Sequence, residues 1–330
     1  MERRRGDGDR ERRRGAALSG TIRAIFSIGT NSTRLLALDA AGVRVAAESR
    51  GTRIGAGIGA MGTIDAVARA RTLEAIDAYV ETVRALGDAR VDAIATSALR
   101  RANDGIAFAA DVAARTGVAP RVLSGAEEAT YSFLGATAAL DGDDAIAVLD
   151  VGGGSAELAV DVPSRARGDG AVRRTLSLEI GAVRLSERHP ALLGARALDA
   201  RERRALVADA RADAAGVLGP YAAVRGFARL IAVGGTVFTA SAMVAGGTRD
   251  GATMTRAGCA RLIDDLLARD LDARKAMPFI RPQRADILPA GLIVVDEACA
   301  ALRVDAFTVS EADLLLGYLN APAFRAIPLR

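Results

Sequence analysis

Two acids, Asp150 and Glu157, bracket the run Gly152-Gly153-Gly154-Ser155. Consecutive glycines let a backbone approach a ligand closely and leave several N–H groups unobstructed, a concavity suited to phosphate oxygens. Carboxylates at its rim suit a hard divalent cation or an attacking water. A two-residue hairpin turn needs only one or two glycines, so a turn alone does not account for three with a serine and two acids. The pattern occurs twice. Ile25 to Leu36 aligns without gaps on Val148 to Ala159, so Gly29 matches Gly152, Ser32 matches Ser155 and Leu35 matches Leu158, with Thr30 and Asn31 in place of two glycines. A third turn, Gly234-Gly235-Thr236, follows the apolar Ile231-Ala232-Val233. Alone it reads as a strand-to-helix turn capped by Thr236; with the other two it forms a third wall of one cleft. Such a cleft between related halves receives a phosphorylated ligand from both sides. One further acid stands out. In Ser124-Gly125-Ala126-Glu127-Glu128, Ser124 and Glu127 have capping-box spacing, which accounts for Glu127. Glu128 is left free, and it faces the cleft if its helix links the halves.

The elements that must hold these residues follow from apolar patterning. The first two loops sit in strand–glycine turn–strand hairpins, at Thr21–Asp39 and Ala147–Asp161. Val43–Arg53 alternates as a third antiparallel strand, and Ile54–Gly62 is a glycine-rich loop. Val67, Leu73, Ile76, Val80 and Val83 predict a helix over Ile64–Leu86, stopped by Gly87. A buried strand at Val91–Thr96, a helix at Phe108–Thr116 and a brief strand at Val122-Leu123 follow. In the second part the pattern predicts strands at Val172–Ile180, Phe227–Val233 and Ala306–Val309. Helices are predicted over 196–218, Gly258–Leu271, Pro289–Leu302 and Asp313–Leu319, with a polar loop at Lys275–Pro289. Hairpins followed by strand–helix units, present twice, make a mixed α/β chain of two similar layers.

Composition narrows the function further. A chain of 330 residues, half of them hydrophobic, suits two domains. Trp is absent and aromatics are few, which leaves little for stacking on nucleic acid. Net charge is +4, but Met1–Gly20 holds seven Arg against four acids, so the rest of the chain is close to neutral. That charge-dense tail is expected to be disordered, and it lacks the apolar centre of a secretory signal. We therefore expect a cytoplasmic protein with no specific nucleic-acid partner. Leu230–Gly247 is uncharged but glycine-rich, and reads as a buried strand, turn and helix rather than a membrane span. Cys259 and Cys299 are read as two buried reduced thiols. The single histidine, His189, lies in a polar stretch and argues against a histidine-based triad or metal site.

In order along the chain, six segments resemble those of the exopolyphosphatase and guanosine pentaphosphatase (Ppx/GppA) family. They are Ile28-Gly29-Thr30-Asn31-Ser32 with Arg34, Thr96-Ser97-Ala98-Leu99-Arg100, Ser124-Gly125 with Glu127-Glu128-Ala129, Asp150 to Leu158, Ser177 to Leu185, and Val233 to Thr236. The resemblance implies an α/β fold of two ribonuclease-H-like domains with an interdomain cleft, in the superfamily of actin, sugar kinases and heat-shock chaperones. It implies the short form, with domains at 21–124 and 125–311 and a C-terminal segment, about 312–330, packed back on the first. By resemblance, Glu128 is the general base that deprotonates the attacking water. Asp150 and Glu157 place Mg²⁺ (or Mn²⁺) or that water. The glycine loops cradle phosphate, and Arg34 and Arg100 neutralise it. A homodimer is also implied. Ser27 stands where the family usually has Asp, which weakens the hard-cation set, and Val309-Ser310-Glu311-Ala312-Asp313 departs from the family's Gly-Leu-Arg type. The function expected is hydrolysis of terminal phosphates from polyphosphate, the alternative being the 5′ γ-phosphate of guanosine pentaphosphate. The near-neutral body favours a short chain or a nucleotide over a long polymer. Readings from other classes are an ATP phosphotransferase of sugar-kinase type, in which Glu128 has no obvious role, and a non-catalytic binder of polyphosphate or an alarmone.

Overall fold

The computed structural model describes residues 21–162, 174–247, 250–322, 324 and 327–328. The Arg-rich tail, the first two residues of the strand expected at Val172–Ile180, and parts of the C-terminal segment lie outside the described residues. The first half opens with the antiparallel strands β1 (Ile22–Ile28), β2 (Thr33–Leu38) and β3 (Arg44–Arg50). Helices α1 (Ile58–Met61) and α2 (Ala66–Ala85) lead to β4 (Ala89–Ala95), parallel to β1. Then come α3 (Ser97–Arg101), α4 (Gly105–Thr116), β5 (Arg121–Val122) and α5 (Gly125–Thr137). The second half repeats the plan with β6 (Ile146–Val151), β7 (Ala156–Asp161) and β8 (Arg174–Leu178). It continues through α6 (Ala182–Arg188), α7 (Ala200–Leu218), β9 (Arg229–Val233), α8 (Gly235–Ala245), β10 (Thr253–Thr255), α9 (Arg256–Leu267), α10 (Leu271–Lys275), α11 (Leu288–Leu302) and β11 (Ala306–Val309). The chain then returns to the first half with α12 (Leu314–Asn320) and β12 (Ile327–Pro328), which pairs with β4.

Strand order is β3-β2-β1-β4 in one sheet, with β5 and β12 on the outer edge of β4, and β8-β7-β6-β9-β11-β10 in the other. The two hairpins share one register. Ser27 stands opposite Arg34 in the first, and Asp150 opposite Glu157 in the second. Both sheets are covered on both faces, as buried strands with near-continuous apolar runs require. Ala24, Phe26, Leu35 and Ala37 pack on Tyr79, Val80 and Val83 of α2. On the opposite face Ile25, Leu38 and Ile94 pack on Leu314, Leu315, Tyr318 and Leu319 of α12 and on Tyr131 of α5. In the second half Leu149, Leu158 and Ala232 join Leu292 and Ile293 of α11 in the largest core. Val148, Ala159 and Ile231 face Ala129 and Phe133 of α5. Helix α5 thus packs against both sheets, and it crosses α12 at two glycines. A Cβ on Gly135 would run into the Asp313 carbonyl oxygen, and one on Gly317 into that of Tyr131.

The differences from expectation are local. The loop expected at Ile54–Gly62 contains the single turn α1, bounded by Gly57 and Gly62 at φ 75 and 73. Thr236 does not cap α8; Gly234, at φ 98, occupies the N-cap, and no side chain caps the helix. The helix expected over Gly258–Leu271 runs instead over Arg256–Leu267, capped by Thr255, and a separate short helix capped by Asp270 begins at Leu271. Helices α3 and α6 and strand β10 are too short for periodicity to reveal. Both cysteines are buried and free.

Candidate active site

The two hairpin loops meet head-on. Gly29 N–H donates to Ser32 O at 3.0 Å, and Gly152 N–H donates to Ser155 O at 3.0 Å, so both turns close the same way. They approach so closely that a Cβ on Gly154 would lie 2.7 Å from Thr30 Oγ1 and 2.8 Å from Ser97 Oγ. Gly153 is nearly as constrained, its Cβ position lying 3.1 Å from the Thr30 Cβ. These glycines therefore serve the contact between halves as well as any ligand. Between the loops lies a cavity of about 110 Å³. Its walls are residues 29–32 and 152–155, Ser27, Arg34, Glu128, Asp150, Glu157, Gly234-Gly235-Thr236 and Arg284. A wider chamber of about 440 Å³ adjoins it and shares Arg34, Gly234, Gly235, Arg284 and Asp313.

Three carboxyls reach this cavity from different elements. Ser124 and Glu127 form the reciprocal capping box at the start of α5, which leaves the next side chain, Glu128, to enter the cleft. It is buried, and Arg100 Nη1 donates to its Oε1 at 2.5 Å. Burial pushes the Glu128 carboxyl up to about 7, aided by the charges of Asp150 and Glu179 and opposed by Arg100. Asp150, at the end of β6, is pushed up to about 6 by burial and by Asp313, although Ser132 Oγ donates to it at 2.7 Å. Glu157, opposite on β7, is held well above the usual carboxylate range by burial and then by Glu128 and Asp150; Ser177 Oγ donates to it at 2.9 Å. Buried acids that repel one another gain from a cation placed among them. No three His, Cys, Asp or Glu among the described residues are arranged to ligate one ion. Asp150 and Glu157 instead suit a hard cation that keeps part of its water shell and takes its remaining ligands from phosphate. Ser27, also buried in the cleft wall, adds a neutral oxygen.

The basic residues divide. Arg34 lines the cavity and pairs with buried Asp313 at 2.6 Å. Arg100 stands behind Glu128 and also donates to Leu123 O, so it positions the acid. Arg284 is a wall residue that sequence reasoning missed. Its guanidinium fills the space beside Gly235, where a Cβ would lie 2.2 Å from its Cζ, and burial and the nearby Arg34 and Arg281 lower it to about 10. No carboxylate among the described residues lies within ion-pair distance of it, and its nearest polar neighbour is Ser32 Oγ at 3.4 Å. A desolvated guanidinium with no acid in ion-pair distance among the described residues, facing a glycine-closed hairpin loop, suits an anion. It sits in the polar stretch Arg281-Pro282-Gln283-Arg284, where nothing in the spacing marks it. The buried Asn31 Oδ1 and Ser97 Oγ, at the meeting of the loops, have no partner among the described residues, as expected where a ligand or water completes the bonding.

A model of the Ppx/GppA phosphatase family matches residues 39–319. Exopolyphosphatase 2 of Mycobacterium tuberculosis is 35% identical over 321 residues, covering 89% of this chain and 96% of that protein. A guanosine-5'-triphosphate,3'-diphosphate pyrophosphatase of Vibrio atlanticus is 24% identical over 320 residues, covering 95% of this chain and 62% of that protein. Among solved structures, an exopolyphosphatase-like protein superposes with a TM-score of 0.78 at 27% identity, covering 91% of this chain and 96% of that one.

Proposed function

The chain belongs to the Ppx/GppA phosphatase family, and from that premise we propose that it is an exopolyphosphatase acting through Glu128. Phosphoryl transfer asks a protein mainly for positioning and charge neutralisation. The N–H groups of the two loops, with Arg34 and Arg284, hold the terminal phosphate. Glu128 takes a proton from a water placed against that phosphorus. The water oxygen bonds to phosphorus, the bridging P–O bond breaks, and the chain leaves one unit shorter. Asp150 and Glu157 would hold Mg²⁺ (or Mn²⁺), which would neutralise non-bridging oxygens. Their mutual repulsion fits that role, and Ser27 leaves the set one charge weaker than the family's usual Asp. The observation that carries this reading is a buried carboxyl, raised to about 7, beside two facing phosphate loops.

The test is orthophosphate release from polyphosphate with Mg²⁺. Glu128→Ala should lower kcat by about 10²–10⁴-fold, the usual range for a general base. Release that survives the substitution would remove Glu128 from the mechanism. The second reading, a guanosine pentaphosphate 5′-phosphatase, is favoured by the adjoining chamber. Its Leu36, Leu38, Phe238 and Leu316 offer an apolar surface beside Arg34 and Arg284, a combination that fits a nucleoside next to its phosphates. Turnover of guanosine pentaphosphate without release from polyphosphate would select it. Tight binding of either without turnover would make the protein a binder.

A further inference from the structure

The two guanidiniums of the cavity wall are unequal. Arg284 has no carboxylate within ion-pair distance among the described residues. Arg34 has one, since its Nη1 donates to Asp313 Oδ2 at 2.6 Å. Asp313 lies between β11 and α12, in the segment Val309-Ser310-Glu311-Ala312-Asp313 that departs from the family's Gly-Leu-Arg type. Both partners line the cavity and the wider chamber alike, so the pair stands where the two spaces meet. The carboxylate is fixed in place. Its Oδ1 accepts the Leu315 N–H at 3.1 Å and caps α12. Its own carbonyl oxygen accepts the Gly317 N–H at 3.0 Å and abuts Gly135 at the crossing with α5.

An acid beside an arginine has two opposed effects on an anion site. It orients the guanidinium, which favours binding. It also occupies an N–H group and sets a fixed negative charge next to any arriving phosphate, which opposes binding. Orientation through one hydrogen bond is looser than through a two-pronged pair. The charge, by contrast, is poorly screened, because the Asp313 side chain is only 9% exposed while that of Arg34 is 35% exposed. Although burial lowers it, the charge and hydrogen bond of Asp313 hold the Arg34 guanidinium above its usual range. We propose that Asp313 is a specificity-determining residue, a resident counter-anion that weakens the hold of Arg34 on phosphate and so limits product inhibition by orthophosphate. This rests on Arg34 meeting phosphate in the proposed reaction and adds what restrains that contact. The cleft then grips phosphate mainly through Arg284, the guanidinium without an acid.

The test is calorimetric binding of orthophosphate with Mg²⁺ present, beside orthophosphate inhibition of tripolyphosphate hydrolysis. Asp313→Asn keeps an oxygen for the Leu315 N–H and removes the charge. It should tighten orthophosphate binding by about tenfold and lower the inhibition constant to match. A purely orienting Asp313 predicts the opposite sign, so weaker or unchanged binding would overturn the proposal. Glu311→Gln removes the same charge from an exposed pair with Arg44 in the same segment. It should move neither constant by more than about twofold; an equal tightening there would mean that net charge is responsible, and would reject Asp313. In Asp313→Asn combined with Arg34→Gln the gain should vanish, and a gain that persists would mean that Asp313 does not act through Arg34. The two readings fail separately. If wild type released no orthophosphate from polyphosphate, the hydrolase reading would fall, and calorimetry would still decide Asp313. If wild type hydrolysed polyphosphate and Asp313→Asn bound orthophosphate no more tightly, the counter-anion alone would be rejected.

Discussion

Glu128 keeps its proton until about neutral pH because it is buried among like charges, and only its deprotonated form can accept a proton from water. kcat/KM should therefore rise with pH up to about 7 and fall about tenfold per unit below it. Arg100 favours the charged form, so Arg100→Gln should move the midpoint to higher pH; a midpoint that stays or drops would mean that another group is being titrated. The sign for stability is opposite. A carboxyl raised from 4.5 to about 7 in the folded state stabilises the fold fully below 4.5, and that contribution is lost as pH rises through about 7. What could be read from sequence at this scale is chemical type at short spacing: Asp150, Glu157, the glycine loops, and Glu128 as the acid left over from a capping box. The place of Arg284 could not be read, because it arises from burial in the cleft wall and proximity to Arg34, both tertiary facts.

At the scale of elements, the crossing of α5 and α12 fixes where Glu128 enters. The helices touch backbone to backbone, and neither Gly135 nor Gly317 has room for a methyl group. Gly317→Ala should cost about 1–3 kcal/mol through overpacking, seen as a lower melting temperature; unchanged melting would mean that the crossing adjusts freely. The long helices and buried strands were legible, since their apolar periods span several turns or a whole strand. Strand β11 falls where the apolar run placed it, at Ala306–Val309. Short elements carry too few residues for a period. The start of α8 differs from the cap expected at Thr236 because the N-cap is Gly234, at φ 98 and with no capping side chain, where a Cβ would lie 2.9 Å from Asp150 Oδ1.

Across the whole molecule, a strap from the first half grips the second. Arg53, at φ 54, donates its N–H to Asn31 O at 3.0 Å and pairs through both Nη atoms with buried Asp286 at 2.6 and 2.7 Å. Gly57 N–H reaches Glu187 at 2.7 Å. The strap thus ties the first phosphate loop to the segment carrying Arg284. Arg53→Ala leaves Asp286 buried without its partner, a loss of roughly 3–5 kcal/mol for a fully buried pair and less here because about a third of Arg53 is exposed. Adding Asp286→Asn should restore part of that stability while leaving the halves less firmly closed, readable as a larger radius in small-angle scattering. No gain in the double variant would show that the pair contributes little. The strap's glycines announce a loop in the sequence; the ion pair they permit does not announce itself.

The shared hairpin register has one more consequence. Where the second copy carries Asp150 and Glu157, the first carries Ser27 and Arg34, so one wall of the cleft is acidic and the other cationic. The terminal phosphate would then lie with Arg34 on one side and the two acids on the other. Those acids repel it unless a divalent cation stands between them, so stripping the cation with a chelator should weaken the binding of labelled polyphosphate as well as stop its hydrolysis. Binding that the chelator leaves unchanged would mean that the acidic wall does not meet the phosphate.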